Sequence, residues 1–289
     1  MKVAILSNLF PPNSRGGAEE AAKNQANAYL AEGNEVVVLT LSPMNKFSIQ
    51  PSDGIKIYEL PHRNIFNYFD IGKKPAWLRF AWHIADAFNF LLANDIKKVL
   101  EKEKPDLVIC HNLKGLSYFT PLKIKKLKTK NYLVMHDVSL YTPSGLIIYG
   151  EEDAFEHQGF LTRAYRFFTR KLFSYPEKVF FPSAWLLTFY RKNGFFVKQE
   201  KIYQPNMVAI GCRAADDGNE RSGFLYVGQL EAHKGIMLLL GAMTKIPNAK
   251  LVIVGDGSLM PEIKKRAENN PRIAIYGREI GRASCRERV

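Results

Sequence analysis

The chain has 289 residues, 46% of them hydrophobic and 24% charged, a balance that fits a folded protein with a substantial core and room for roughly two domains of about 150 residues. A formal net charge of +13 draws anions of every kind, nucleotide diphosphates, anionic lipid headgroups and nucleic acid alike. No apolar run reaches the ~18 residues of a membrane helix, no h-region precedes the first strand, so the cytoplasm is expected, and Cys110, Cys212 and Cys285 are too scattered for a disulfide framework or a metal set.

Residues 2–8 are a near-continuous apolar run, as in a strand buried on both faces of a parallel sheet. The loop 9–17 is punctuated by two prolines and two glycines, ending Gly16-Gly17. Ala18 to Glu32 reads as a helix whose small face (Ala18, Ala22, Ala26) permits close packing, and Glu35 to Leu41 as the second strand. This βαβ unit lacks the Gly-x-Gly-x-x-Gly turn of a dinucleotide site. Ile55 to Leu60 is read as the third strand and 61–75 as an irregular loop. Residues 76–103 are expected to form one long helix, its core stripe carried by Trp77, Ala81, Ile84, Phe88, Leu91, Leu92, Ile96 and Val99.

Two strands then end in polar residues: Leu107 to Cys110 at His111, and Asn131 to Met135 at His136-Asp137. Strand carboxyl ends in open α/β sheets are where ligands bind. For His111 the better reading is a satisfied structural histidine; a neutral imidazole at 136 can donate one hydrogen bond and accept another, which suits sugar hydroxyls. Residues 138–159 read as a loop with the acidic run Glu151-Glu152-Asp153. Phe160 to Tyr175 is a basic aromatic helix (Arg163, Arg166, Arg170, Lys171), read first as a solvated face and second as a surface for an anionic bilayer; a second basic run, Lys123 to Lys130, reads as a solvated helix face. Lys178 to Pro182 is a strand, Ser183 a helix N-cap, and Lys201 to Gln204 a short strand closed by Pro205-Asn206. Residues 211–222 are polar and glycine-bearing, as in a linker.

Beyond them, Gly223 to Val227 is a strand ending at Gly228, followed by a polar loop and a helix from about Lys234 to Ile246. A strand running through glycine into a helix start binds phosphate, through free backbone N–H groups and the positive end of the helix dipole. Lys234 adds a full positive charge, and Gly228 and Gly235 let backbone approach closely. Lys250 to Val254 leads into Gly255-Asp256-Gly257-Ser258 and a helix Leu259 to Asn269; Arg272 to Tyr276 is a last strand, ending at Gly277.

The spacing Gly228-Gln229-Leu230, three residues, Lys234-Gly235 resembles the donor-phosphate motif of family 4 glycosyltransferases, retaining sugar-nucleotide-dependent enzymes with two Rossmann-like domains (GT-B). That motif usually has Arg where Gln229 stands, so the resemblance leaves Lys234 as the main cation. Gly16-Gly17-Ala18-Glu19 after Phe10-Pro11-Pro12 is similar to the family's N-terminal loop, which borders the donor phosphates and the acceptor. The run Tyr-Leu-Val-Met-His136-Asp137 resembles the family's strand ending at the cleft, where the His contacts the transferring sugar. The resemblance implies catalytic roles for His136 and Asp137, donor-phosphate roles for Gly16, Gly17, Gly228, Gln229, Lys234 and Gly235, nucleotide contacts for Gly255, Gly257 and Gly277, and acceptor-side positions for Glu19, His111, Ser183 and Asn206. No metal or cofactor is implied beyond the nucleotide-sugar substrate, and the chain carries no Asp-x-Asp pair. The expected organisation is α/β with two Rossmann-like domains: residues 1–210 on the acceptor side, a linker at 211–222, and an incomplete nucleotide-sugar domain at 223–280. The family's next segment, with its two glutamates, is missing; residues 281–289 read as a non-native tail, and such a fragment is expected to be poorly active.

Two other classes stay open at this point. One is another nucleotide-dependent enzyme on a double-Rossmann scaffold, such as a sugar-nucleotide epimerase. The other is a non-enzymatic basic protein that binds anions or membrane; no nucleic-acid-binding signature accompanies the charge.

Overall fold

The apolar runs become strands of two parallel-rich sheets in the computed structural model, which describes residues 1–14, 16–147, 159–207, 223–246, 248–268 and 270–277. The chain divides into two units, Met1–Ala209 and Ile210–Val289. The positions assigned to the linker and the tail, and the acidic run Glu151-Glu152-Asp153, lie outside the described residues.

In the first unit the strands are β1 (Lys2–Leu6), β2 (Glu35–Leu41), β3 (Ser48–Ser52), β4 (Ile55–Leu60), β5 (Leu107–Cys110), β6 (Lys130–Val134), β7 (Lys178–Phe181) and β8 (Glu200–Tyr203). They form one sheet in the order β3-β4-β2-β1-β5-β6-β7-β8, parallel except for β3. The register sets Ile5 between Val38 and Ile109. Side chains alternate between the faces. Val3, Ile5, Val36 and Val38 therefore pack with Ala22 and Ala26 of α1 (Gly17–Ala31), while Ala4, Leu6, Val37 and Leu39 pack on the opposite face with Leu92, Ile96 and Val99. Burial on both faces is why these strands show no polar alternation. The chain runs outward from β1 through β2 to β4, then crosses back to place β5 on the other side of β1, so the topological switch point, where open α/β sheets bind ligands, lies at the carboxyl ends of β1 and β5.

The structure refines three readings of this unit. The strand at 55–60 has an antiparallel partner, β3, joined to it through Asp53-Gly54 with φ of 51° and 81°; Asp-Gly with two positive φ values is the hairpin turn favoured by strand twist. The long helix 76–103 is two, α2 (Ala76–Ala87) and α3 (Phe90–Glu103). Asn89 breaks it: its side chain caps α3 by accepting from Leu92 N–H at 3.1 Å and donates to the carbonyls of His62 and Arg63, which a helical asparagine could not do. The break also re-aims the stripe. Trp82, Leu92, Ile96 and Val99 are buried, whereas Trp77, Ile84, Phe88 and Leu91 are exposed. Finally, the basic run at 123–130, read as a solvated helix face, is carried in part by a short helix, α4 (Thr120–Lys126), that follows β5.

At the amino ends of the strands Glu103, almost fully buried, accepts from Lys2 Nζ at 3.0 Å, Lys56 Nζ at 2.6 Å and the Tyr58 hydroxyl. Those donors hold its carboxyl down to about 2 against the opposing effect of burial.

The second unit contains β9 (Phe224–Val227), β10 (Leu251–Val254) and β11 (Ile273–Tyr276), parallel and ordered β11-β10-β9. Helices α7 (Ile236–Met243) and α8 (Met260–Ala267) are each shorter than expected. Leu230, Ile236, Leu240, Leu251, Ile253 and Ile263 make its core. On β9, an edge strand, Phe224, Leu225 and Val227 remain about half exposed.

Candidate active site

At the switch point of the first unit, three elements bring a polar chain together. His111 follows β5, His136 follows β6, and Gln25 lies on α1. His111 is buried; its Nε2 is 2.6 Å from Gln25 Oε1 and its Nδ1 is 3.0 Å from His136 Nε2, with the two rings stacked at 5.2 Å. Burial lowers both imidazoles, His136 to about 4 and His111 well below its ordinary value with the neighbouring ring adding to the effect, so both are neutral near pH 7. The tautomers then follow from what Gln25 can accept. Oε1 takes the proton of His111 Nε2; His111 Nδ1 is left to accept from His136 Nε2–H. The one ring nitrogen of His136 with no partner among the described residues is Nδ1, as an acceptor.

This settles how each residue can act. Both nitrogens of His111 are spent, so at an expected acceptor-side position it orients His136 instead of meeting a ligand. Gln25, which fixes the tautomer, was not singled out in the sequence; a helical glutamine one turn past an alanine stripe gives no local signal. Asp137 receives Ser139 N–H at 2.8 Å on Oδ1, and its carbonyl accepts from the Tyr190 hydroxyl at 3.0 Å. His136 and Asp137 line one narrow crevice, about 20 Å³ in volume, with His111, Lys114 and Ser139.

The other expected positions separate. Glu19 is buried and reaches back to accept Gly16 N–H at 2.8 Å, capping α1, which occupies one of its oxygens. Ser183 caps α6 (Ala184–Lys192) by accepting Leu186 N–H at 3.2 Å, a structural duty. Asn206 is exposed and lines a small pocket that also includes His111 and Gln25. A Cβ added at Gly17 would meet nothing within 4 Å, so the space beside the start of α1 is open.

In the second unit Lys234 lies not inside a helix but in a 3-10 turn, Ala232–Lys234, which Gly235 joins to α7 with φ of 73°. Lys234 is exposed, and its ammonium has no partner among the described residues. The Gln229 carbonyl accepts from the Tyr226 hydroxyl at 2.8 Å. Gly228 has room for a Cβ, its nearest neighbour lying 3.6 Å away. Gly255 and Gly257 do not: a Cβ there would fall 1.9 Å from Gly228 O and 2.6 Å from Leu230 O. Those two glycines are demanded by the crossing of the turns after β9 and β10. The crossing is tied by Glu231, which accepts Ser258 N–H at 2.9 Å and its hydroxyl at 2.7 Å. These donors hold the Glu231 carboxyl below its usual range. Gly277 is exposed, its carbonyl accepting Gly255 N–H at 3.2 Å. Among the described residues no three His, Cys, Asp or Glu side chains gather as metal ligands.

Two open parallel units with polar groups at their strand carboxyl ends define a double-Rossmann protein of the GT-B class. The fold alone is shared widely. It resembles the catalytic domain of starch synthase IV from Arabidopsis thaliana bound to ADP and acarbose (TM-score 0.60, 10% identity, 98% of this chain and 75% of that one). It also resembles UDP-GlcNAc 2-epimerase from Neisseria meningitidis bound to UDP-GlcNAc (TM-score 0.50, 15% identity, 97% and 73%). The sequence decides between such classes. A model of Glycosyltransferase Family 4 matches residues 15–203 and one of Glycosyl transferases group 1 matches residues 216–272. The chain belongs to glycosyltransferase family 4. An uncharacterized 42.6 kDa protein in the cps region of Klebsiella pneumoniae is 28% identical over 144 residues, which is 50% of this chain and 39% of that protein. The chain thus spans well under half the length of the curated relative it matches.

Proposed function

We propose that the protein transfers a glycosyl group from a nucleotide-diphosphate sugar to a hydroxyl acceptor with retention of configuration, in the making of a cell-envelope polysaccharide. The observation that carries the reading is the relay Gln25–His111–His136, which leaves a neutral imidazole with a lone pair at the switch point. That nitrogen can accept from a hydroxyl of the transferring sugar, and Asp137 from the acceptor hydroxyl. In the second unit the ammonium of Lys234, without a partner among the described residues, and the start of α7 hold the leaving diphosphate, stabilising charge as it develops on the departing oxygens. Gln229 contributes polarity but no charge there. The cps-region setting of the relative supports the polysaccharide context. Calorimetric titration of UDP, GDP and ADP tests the reading: Lys234→Met weakens the nucleotide that binds by about 10-fold or more, and equal affinity in wild type and variant refutes the phosphate assignment.

A peripheral place on the inner face of an anionic membrane is a second element of the reading, favoured by α5 (Phe160–Leu172). Its Arg166 is buried, donating to Tyr141 O at 3.2 Å, and Arg170 lies over the Phe195 ring. The exposed face carries Phe160, Leu161 and Phe167, 83%, 73% and 67% exposed, with Arg163, Arg170 and Lys171, a pairing of apolar and basic side chains suited to a headgroup boundary. No helix among the described residues is long and apolar enough to cross a membrane. Co-sedimentation with phosphatidylglycerol vesicles is expected, lost in the F160S/F167S variant; equal sedimentation of the variant removes this helix from the account.

A further inference from the structure

Helix α2 is apolar on two faces, and one of them is uncovered. Trp82 and Asp86, one turn apart, seat the helix inward. The buried Trp82 indole N–H donates to Phe66 O at 2.9 Å, and buried Asp86 accepts Gly115 N–H at 2.7 Å. On the outer face stand Trp77, Phe80 and Ile84, continued by Phe88 at the helix end; Trp77 is 71% exposed and the other three are about half exposed. Spacings of three, four and four residues put them in one stripe, about 16 Å long at the rise of an α-helix. A helix apolar all round is ordinarily buried, and a contiguous exposed apolar patch marks a contact with lipid or protein.

The stripe continues beyond α2. The Phe88 ring lies 5.2 Å from Phe168 on α5 and 5.9 Å from Phe119, and Phe119 lies 4.1 Å from the exposed Phe90 that begins α3. This aromatic cluster joins the outer face of α2 to α5, the helix that exposes Phe160, Leu161 and Phe167.

Charge selects the occupant. Helices α2, α4 and α5 carry one carboxylate among them, Asp86, and it is buried, whereas Arg79, Lys125, Lys126, Arg163, Arg170 and Lys171 are exposed. Apolar side chains set among exposed cations match hydrocarbon lying beneath anionic headgroups. A second copy of the chain matches less well, because a two-fold contact sets the same cations against each other.

We propose that the outer face of α2, from Trp77 to Phe88, is a lipid-contacting surface that enters an anionic bilayer together with α5. Its membrane context rests on the reading given above for α5; the uncovered stripe itself does not. Asp86 ties α2 to Gly115, next to the Lys114 that lines the crevice with His136 and Asp137, so docking through α2 brings that crevice near the lipid surface.

Trp77 reports the contact directly. In a Trp185→Phe background it is the one exposed tryptophan of the chain, since Trp82 is buried. Its fluorescence is followed in the full chain during titration with phosphatidylglycerol vesicles, with and without brominated acyl chains, and with phosphatidylcholine vesicles. The emission is expected to move to shorter wavelength on phosphatidylglycerol and to be quenched by the brominated chains, with binding to phosphatidylcholine weaker by about 10-fold or more. F80S/I84S, at two exposed positions, is expected to keep the unfolding temperature and to weaken vesicle binding by about 10-fold. An unquenched Trp77 on vesicles that still sediment the protein overturns the α2 surface and leaves α5 as the contact. A quenched Trp77 with undiminished binding of F160S/F167S upholds the α2 surface and refutes the α5 reading. No binding to phosphatidylglycerol overturns both. Equal binding to the two lipids, or wild-type binding by F80S/I84S, overturns the proposal, as does a dimer in sedimentation equilibrium that F80S/I84S dissociates, which makes a second copy the occupant.

Discussion

Replacing Gln25 with leucine, nearly isosteric, removes the acceptor that fixes the histidine relay. His111 is 4% exposed, and a buried N–H left without a partner costs about 1–3 kcal/mol. Taking about 2 kcal/mol and a urea slope near 2 kcal/mol/M, the unfolding midpoint falls by about 1 M. The chemical effect is separate. In the wild type His111 and His136 both carry their proton on Nε2, because the Gln25 oxygen accepts the first and His111 Nδ1 the second. Without Gln25 that preference is gone, and His136 populates the form protonated on Nδ1, which cannot accept from a sugar hydroxyl. Nitrogen chemical shifts of the two rings report the tautomers directly, and urea denaturation reports the stability. Turnover in the variant is expected to fall by about 10-fold, equivalent to about 1.4 kcal/mol of lost positioning. A wild-type ring protonated on Nδ1 of His111, or a variant with unchanged shifts and midpoint, refutes the relay.

Glu103→Gln removes the charge that three donors share and is expected to cost about 3 kcal/mol at pH 7, because the lysines keep theirs. The folded carboxyl is depressed to about 2, so this contribution is fully present above the ordinary carboxylate range near 4.5 and is lost as pH falls from there toward 2; a variant whose acid unfolding tracks wild type contradicts it. The glycines of the second unit divide by what a Cβ would strike. Gly257→Ala drives a methyl into the backbone of Leu230 and is expected to lose about 2 kcal/mol or more, whereas Gly228→Ala keeps the unfolding temperature and weakens nucleotide binding in calorimetry; similar losses of stability in both undo the distinction.

Buried parallel strands write themselves into sequence as unbroken apolar runs, because every side chain of β1, β2 and β5 meets a helix layer on one face or the other. For that reason the α/β architecture and the polar residues capping its strands, His111, His136 and Asp137, were legible from residue order. The glycine-and-lysine spacing at 228–235 was legible too, since a strand-to-helix turn is a local object. The split at Asn89 was not: its cap competes with helix continuation only because the carbonyls of His62 and Arg63 are there to receive its amide. Nor could spacing tell that Gly255 and Gly257 serve the crossing of two turns, while Gly228 has free space.

Residue order therefore determined which side chains stand at the strand ends, through periodicity that a single element expresses by itself. Only the folded arrangement decided their states. Gln25, His111 and His136 lie on three separate elements, and the proton on each ring is fixed by the partner across the gap. Protonation and charge pairing depend on distance in space, and neighbours brought together from 86 positions apart, as Gln25 and His111 are, leave no mark on local sequence.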